Sequence, residues 1–85
     1  MANTQRVLSE ARATLRNAMW SAEDRLTARE RARLDERKTA ATRALDGFDD
    51  LLAKHGESKA LHLVTTAVDK YAVGVILEIN TARRR

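Results

Sequence analysis

The chain has 85 residues with no cysteine and no proline, and 16 lysine and arginine residues against 12 acidic ones give it a formal net charge of +4 at pH 7. This length limits it to one small domain, 1–85, and the lack of cysteine excludes disulfide frameworks and thiolate metal sites. We expect a cytoplasmic protein with no membrane association, because no secretion signal and no stretch of roughly 18 apolar residues is visible.

The first predicted helix covers about residues 4–20, where apolar residues recur every three or four positions. Two later positions suit the start of a second helix, because each places a hydroxyl before carboxylates. Ser21 precedes two acidic residues, and Thr27 precedes Glu30 in a capping-box pattern. The first break therefore lies at Ser21 or at Thr27, unless the two helices run on as one.

The second predicted helix ends at Gly56, directly after the late cations Lys54 and His55. Gly47 interrupts its sequence, but the apolar spacing passes through this glycine. A continuous or slightly bent helix is therefore favoured over a break. The apolar face of this helix carries Leu26, Leu34, Ala41, Leu45, Phe48 and Leu52.

The third predicted helix is capped by Ser58, and from Leu61 its apolar residues follow a spacing close to a heptad. Residues 71–79, YAVGVILEI, surround Gly74 with β-branched side chains and are apolar around most of the helix circumference. The alternative for this segment is a strand, which would have nothing to pair with. Helix is therefore preferred.

A helix that is apolar nearly all round needs more cover than two amphipathic neighbours provide. We therefore predict an all-α fold, a small antiparallel bundle of about three helices that is completed by self-association as a homodimer. Trp20 falls at a predicted helix junction, where it either staples the turn or stands exposed as an interface anchor, and the staple is favoured. The predicted protein interface consists of Trp20, Tyr71, Val75, Ile76 and Ile79.

The arginine-rich run RLTARERARLDERK, residues 25–38, has two interpretations. On one helix its arginines would advance by four residues each and form a stripe for phosphates. Interleaved acidic residues are instead typical of a solvated, self-paired face, which is preferred. The basic C-terminal end has the same two interpretations, since cations there also oppose the helix dipole. The candidate nucleic-acid contacts are Arg25, Arg29, Arg33, Arg37, Arg83, Arg84 and Arg85.

No catalytic constellation is visible, because no nucleophile is paired with a base in a recognisable pattern. His55, His62 and Asp69 are the candidate metal ligands, but no fourth ligand accompanies them, so we expect no metal site. The three glycines are too far apart to form a phosphate-binding loop. We therefore expect neither a cofactor nor enzymatic activity.

These observations predict a small regulatory or inhibitory protein that binds another macromolecule, with a protein as the expected target. In size and composition the chain resembles the accessory and inhibitor proteins of phages and plasmids, a similarity of general style and not of motif. The alternative is a nucleic-acid-binding protein that uses the face of residues 25–38 and the basic C-terminal end.

Overall fold

A computed structural model describes residues 2–84, with side chains from residue 3. Every regular element in this range is an α-helix, so the predicted all-α class is confirmed. The segment 71–79 is helical throughout. The helices are α1 (Ala2–Arg25), α2 (Ala28–Arg33), α3 (Asp35–Asp46), α4 (Phe48–His55) and α5 (Glu57–Arg83).

The five helices found within residues 2–84 differ from the expected three, because the second predicted helix is interrupted twice. At Leu34, with φ −100° and ψ −1°, the backbone tightens and the Leu34 N–H bonds to the Arg31 carbonyl at 3.0 Å. At Gly47, with φ −97° and ψ 21°, helical bonds still enter and leave the residue. Gly47 N–H donates to Arg43 O at 2.8 Å, and Leu51 N–H donates to Gly47 O at 3.1 Å. The interruption at Gly47 is therefore confined to the backbone angles of one residue, and helical hydrogen bonds continue across it from α3 into α4.

The first junction lies at Thr27 and not at Ser21, and α1 continues beyond its predicted end to Arg25. Thr27 is extended, and its Oγ1 accepts the Glu30 N–H at 3.2 Å. The Glu30 carboxylate in turn accepts the Thr27 N–H at 2.9 Å. These two bonds form the predicted capping box and satisfy backbone donors that a helix start leaves without partners.

The central element is α5, because α1, α3 and α4 all contact it while α1 and α3 touch each other only slightly. Thr4 Oγ1 donates to Glu57 Oε1 at 2.7 Å, which joins the starts of α1 and α5. Arg33 Nη1 lies 3.6 Å from Glu78 Oε2, which joins the end of α2 to the late part of α5. Helices α1 and α5 therefore run in one direction and α2 to α4 run back, in a flat molecule measuring 45 × 21 × 15 Å.

The core forms where α1, α3 and α4 meet the inner side of α5, and the valines at 64, 68 and 75 are its most completely buried large side chains. Burying one such side chain contributes on the order of 2 kcal/mol to the free energy of unfolding. The heptad-like face of the third predicted helix therefore points into the chain's own interior. The buried apolar residues are Leu8, Ala11, Leu15, Ala22, Leu26, Leu34, Ala41, Leu45, Phe48, Ala60, Val64, Val68, Tyr71 and Val75.

Two glycines fix how α5 is placed. Gly56, between α4 and α5, has a φ of 86°, a conformation that side-chain-bearing residues rarely adopt. Gly74 is buried within α5, and a Cβ added there would lie 2.8 Å from Leu34 Cδ2. Glycine at this position therefore allows α5 to approach the turn between α2 and α3 closely.

Candidate protein-binding surfaces

The structure divides the four interface residues predicted on α5 between the interior and the surface. Tyr71 and Val75 are only 3% and 1% exposed, so both are enclosed within their own chain. Ile79 is partly buried against the core. Ile76 is 56% exposed, and it is the member of this group that is available to a partner.

Three neighbouring aliphatic side chains form an exposed surface on α5, named here the α5 face: Val73, Ile76 and Leu77. Their exposed fractions are 52%, 56% and 58%. Spacings of three and four residues place them on the same side of the helix. Single exposed aliphatic residues are ordinary, whereas an adjacent group of this kind is typical of an interaction site. The sequence prediction missed Val73 and Leu77, although both belong to the apolar run 71–79 that signalled them.

The α5 face continues into a groove of about 890 Å³ between α3 and α5, because Val73 belongs to both. Ala40 and Leu63 are among its other apolar lining residues. The charged residues that line the same groove are two acidic and two basic ones, Glu36, Asp69, Arg37 and Lys70. The surface is therefore apolar along α5 with charges beside it, as at many protein interfaces.

Trp20 lies within α1 and is 66% exposed, so the favoured interpretation that it staples a turn is wrong. The guanidinium carbon of Arg16 lies 5.9 Å from the centre of the indole ring, a cation–π arrangement. Both side chains line a cleft of about 300 Å³ between α1 and α3. Leu15, Met19 and Leu45 supply apolar lining to this cleft, named here the Trp20 cleft.

The arginine run does not lie on one continuous helix. Arg25 ends α1, and the extended Thr27 separates it from Arg29 in α2. Arg31 is also turned back onto the chain, since its Nη1 donates to the Leu26 carbonyl at 2.7 Å. The regular four-residue advance expected for a phosphate-binding stripe is therefore broken at its first step.

Two further arginines of the predicted stripe contact α5. Arg33 is paired with Glu78 at 3.6 Å, and Arg37 Nη1 donates to the Lys70 carbonyl at 3.4 Å. At the other end of the chain, Arg83 ends α5 and the exposed Arg84 is its C-cap, while Arg85 lies outside the described residues. Two members of the predicted stripe are therefore engaged with α5 of their own chain.

Burial raises the pKa of the Tyr71 hydroxyl above its ordinary value, and the nearby carboxylates of Glu23 and Asp35 raise it further. Both causes disfavour the charged phenolate. Tyr71 is therefore a neutral core residue at pH 7, held between the end of α1 and the start of α3.

Within residues 2–84, no group of three or more histidine, cysteine, aspartate or glutamate side chains is placed to hold a metal ion. Of the candidate ligands, His62 and Asp69 both line the groove between α3 and α5. His55 lies in the last turn of α4. The structure therefore does not bring these three residues together as a ligand set.

By length and composition alone, α5 is long and apolar enough to cross a membrane, contrary to the expectation from the sequence that no segment is. A share of 33% of its most apolar 18 residues is buried inside the chain. The core helix of a water-soluble protein satisfies the same criterion. Asp69 and Lys70 also lie near the middle of α5, where charges are costly in a hydrocarbon environment. This property is therefore weak evidence for membrane insertion.

The chain matches no protein-family model. No curated protein and no solved structure is significantly similar to it. Function is therefore inferred from the fold and from the two exposed apolar surfaces, the α5 face and the Trp20 cleft.

Proposed function

We propose that the protein is a small non-enzymatic regulatory or inhibitory protein that binds another protein and acts as a homodimer, with the second copy completing the helical bundle. The observation that carries the proposal is the exposure of Trp20, at 66%, beside an apolar cleft. Tryptophan and arginine are enriched among the residues that dominate protein–protein binding energies. Trp20 and Arg16 together present such an anchor.

The contacts that two of the arginines make within the chain give less support to nucleic-acid binding. Phosphate-binding surfaces gather cations without matching anions. Arg33 is instead paired with a carboxylate, and Arg37 donates to a backbone carbonyl. A protein target is therefore the preferred partner, and nucleic acid is the alternative that the experiment must distinguish.

The test is affinity capture from lysate of the source cells with three tagged proteins: wild type, Trp20→Ala and the control Asn17→Ala. Asn17 is also exposed on α1, so this control changes the same helix without removing the indole. We expect wild type and Asn17→Ala to retain the same protein after nuclease treatment. Trp20→Ala should weaken its binding by roughly thirtyfold, because truncating such an anchor costs at least about 2 kcal/mol.

Circular dichroism must show that Trp20→Ala keeps its helices, as expected for a side chain that is mostly exposed. If the captured material disappears on nuclease treatment and its affinity falls steeply with salt, the nucleic-acid alternative replaces this proposal. Equal capture by wild type and Trp20→Ala would remove the Trp20 cleft from the binding site.

A further inference from the structure

We infer that the end of the bundle at which α1 and α5 finish binds the phosphate backbone of nucleic acid. This surface, named here the basic end, consists of the last turn of α1, the whole of α2, and the last turn of α5 with its C-cap. It is a second site, additional to the protein-binding surface in the proposed function, because none of its arginines lines the Trp20 cleft. The arginines of the basic end are Arg25, Arg29, Arg31, Arg33, Arg83 and Arg84.

Two contacts bring the segments of the basic end together. The Arg31 side chain donates to the Leu26 carbonyl at 2.7 Å, which holds α2 against the end of α1. Arg33 lies 3.6 Å from Glu78, which holds the other end of α2 beside α5. Arg83 is five residues beyond Glu78 on the same helix, a rise of about 7.5 Å. The arginine run and the basic C-terminal end, far apart in the sequence, therefore meet at one end of a molecule whose cross-section is 21 × 15 Å.

The basic end has an excess of positive charge, and the excess is largest among its free side chains. Six arginines stand against four carboxylates, counting Glu78 just before the last turn of α5. Glu30 is buried and caps α2, and Glu78 is paired with Arg33. The exposed carboxylates that remain are Glu23 and Asp24. Within residues 2–84, the exposed arginines of this end whose side chains form no hydrogen bond or ion pair are Arg25, Arg29, Arg83 and Arg84.

The chemistry of the basic end selects phosphate among the anionic groups of macromolecules. All six of its cations are arginines, whose planar guanidinium groups form paired hydrogen bonds with phosphate oxygens. Its segments carry no exposed large apolar side chain, and the nearest one, Leu77, lies six residues before Arg83. Such a surface has no apolar centre for a protein interface and no apolar group to insert into a bilayer. A nucleic-acid backbone needs neither, because its phosphates are bound by charge and hydrogen bonds.

The opposite end of the molecule has the reverse charge. Residues 46–59, which contain α4 and the start of α5, carry four carboxylates and two lysines, with His55 neutral. At the start of α1, Arg6 and Glu10 pair with each other at 3.4 Å and add no net charge. A polyanion is therefore attracted to one end of the chain and repelled from the other, and this separation of charge orients the chain during approach.

The number of free arginines sets the expected salt dependence of binding. Four phosphate contacts on duplex DNA give a slope of about −3.6 for the logarithm of affinity against the logarithm of salt concentration. Affinity should therefore fall roughly 150-fold between about 50 and 200 mM NaCl. Contacts to the backbone carry no direct sequence information, so duplexes of different sequence should bind alike.

The test is fluorescence anisotropy of a labelled DNA duplex with wild type, Arg25→Gln/Arg84→Gln and the control Arg43→Gln/Lys54→Gln. Both double variants remove two positive charges from exposed residues at helix C-terminal ends, so net charge and effects on helix dipoles are matched. We expect wild type and the control to share one slope. Arg25→Gln/Arg84→Gln should lower the slope by about two units and weaken binding at low salt roughly tenfold or more, while its circular dichroism stays helical.

Three results would overturn the inference. The first is a wild type that does not bind the duplex at low salt. The second is an equal loss of slope in both double variants, because the net charge of the chain would then account for binding. The third is binding of wild type to polyglutamate or to phosphatidylserine vesicles that is as tight as binding to DNA, because the basic end would then not distinguish nucleic acid from other anions.

Failure of the inference can be separated from failure of the proposed function, because different side chains carry them. We expect Trp20→Ala to bind the duplex as wild type does, and Arg25→Gln/Arg84→Gln to capture the protein target after nuclease treatment. Loss of DNA binding in Trp20→Ala would move the site to the Trp20 cleft and overturn the inference. A chain that captures its target but does not bind DNA overturns only the inference. A chain that binds DNA through the basic end and captures no protein contradicts only the proposed function.

Discussion

Replacing Gly74 by alanine tests how closely α5 approaches the turn at Leu34. The new Cβ would lie 2.8 Å from Leu34 Cδ2 and 2.9 Å from Arg37 Nη1, both too close for unstrained contact. The Arg37 atom ends a flexible side chain whose bond to the Lys70 carbonyl is long, at 3.4 Å, so it moves at little cost. Leu34 is only 5% exposed, and its methyl group is confined by a densely packed core.

The expected change in the free energy of unfolding of Gly74→Ala follows from two opposing effects. Extra volume in a well-packed core costs about 1 to 3 kcal/mol. Alanine in place of glycine inside a helix contributes about 0.5 to 1 kcal/mol in the opposite direction. We therefore expect Gly74→Ala to lower the free energy of unfolding by about 1 kcal/mol. A chain of 85 residues has a total of roughly 4 to 13 kcal/mol, so the variant stays folded.

The assay is urea unfolding followed by circular dichroism at one fixed protein concentration, because dimerisation would make stability depend on concentration. Leu34→Ala removes the contacting methyl, so in that background Gly74→Ala should become neutral or stabilising, a coupling of about 1 kcal/mol or more. Arg37→Ala is the control and should leave the effect of Gly74→Ala unchanged. If Gly74→Ala alone stabilises the protein by the full helix-propensity gain, the close packing of α5 on Leu34 is refuted.

Three further predictions concern single residues. Gly47→Ala should change the free energy of unfolding by less than about 0.5 kcal/mol. The new Cβ would lie 3.0 Å from the Arg43 carbonyl oxygen, and strain at this contact offsets the gain in helix propensity. A stabilisation near 1 kcal/mol in urea unfolding would show that the carbonyl moves away without cost. Thr27→Ala should lower the free energy of unfolding by about 1 kcal/mol, because the Glu30 N–H loses its capping oxygen, whereas Thr27→Ser keeps that oxygen and should not. Equal stability of wild type and both variants in urea unfolding would contradict the capping role. Because the pKa of Tyr71 is raised in the folded state, the fold binds that proton more tightly than the unfolded chain does, and stability should fall as pH rises above about 10. Tyr71→Phe should remove the part of this loss of stability that comes from Tyr71. Identical alkaline unfolding curves for wild type and Tyr71→Phe would refute this contribution of Tyr71.

The capping box at Thr27 and the end of α4 at Gly56 were predictable because each depends on residues within one helical turn. The break at Leu34 was not, since no glycine or proline marks it. Its only local sign is the acidic pair that opens α3, which suits a helix start. The tight turn places Leu34 against Gly74. Residues so distant in sequence meet only in the folded chain, so their contact has no local pattern.

The apolar run 71–79 correctly indicated a helix with more apolar surface than one side can bury. It did not reveal which residues would face outward. Tyr71 and Val75 turned inward and left Val73 and Leu77 exposed. Apolar periodicity does not separate two sides of a helix when both are apolar. The choice is made by the helices that pack against α5, and single-sequence periodicity carries no information about their placement.

The flat arrangement explains why an apolar surface remains on the most buried helix. In a three-sided bundle, each helix contacts both others and turns its polar side to solvent. Here α1 and α3 both contact α5 but touch each other only slightly, so the outer side of α5 stays open. That side carries the α5 face. The α5 face is therefore the part of this apolar helix that the chain's own helices leave uncovered.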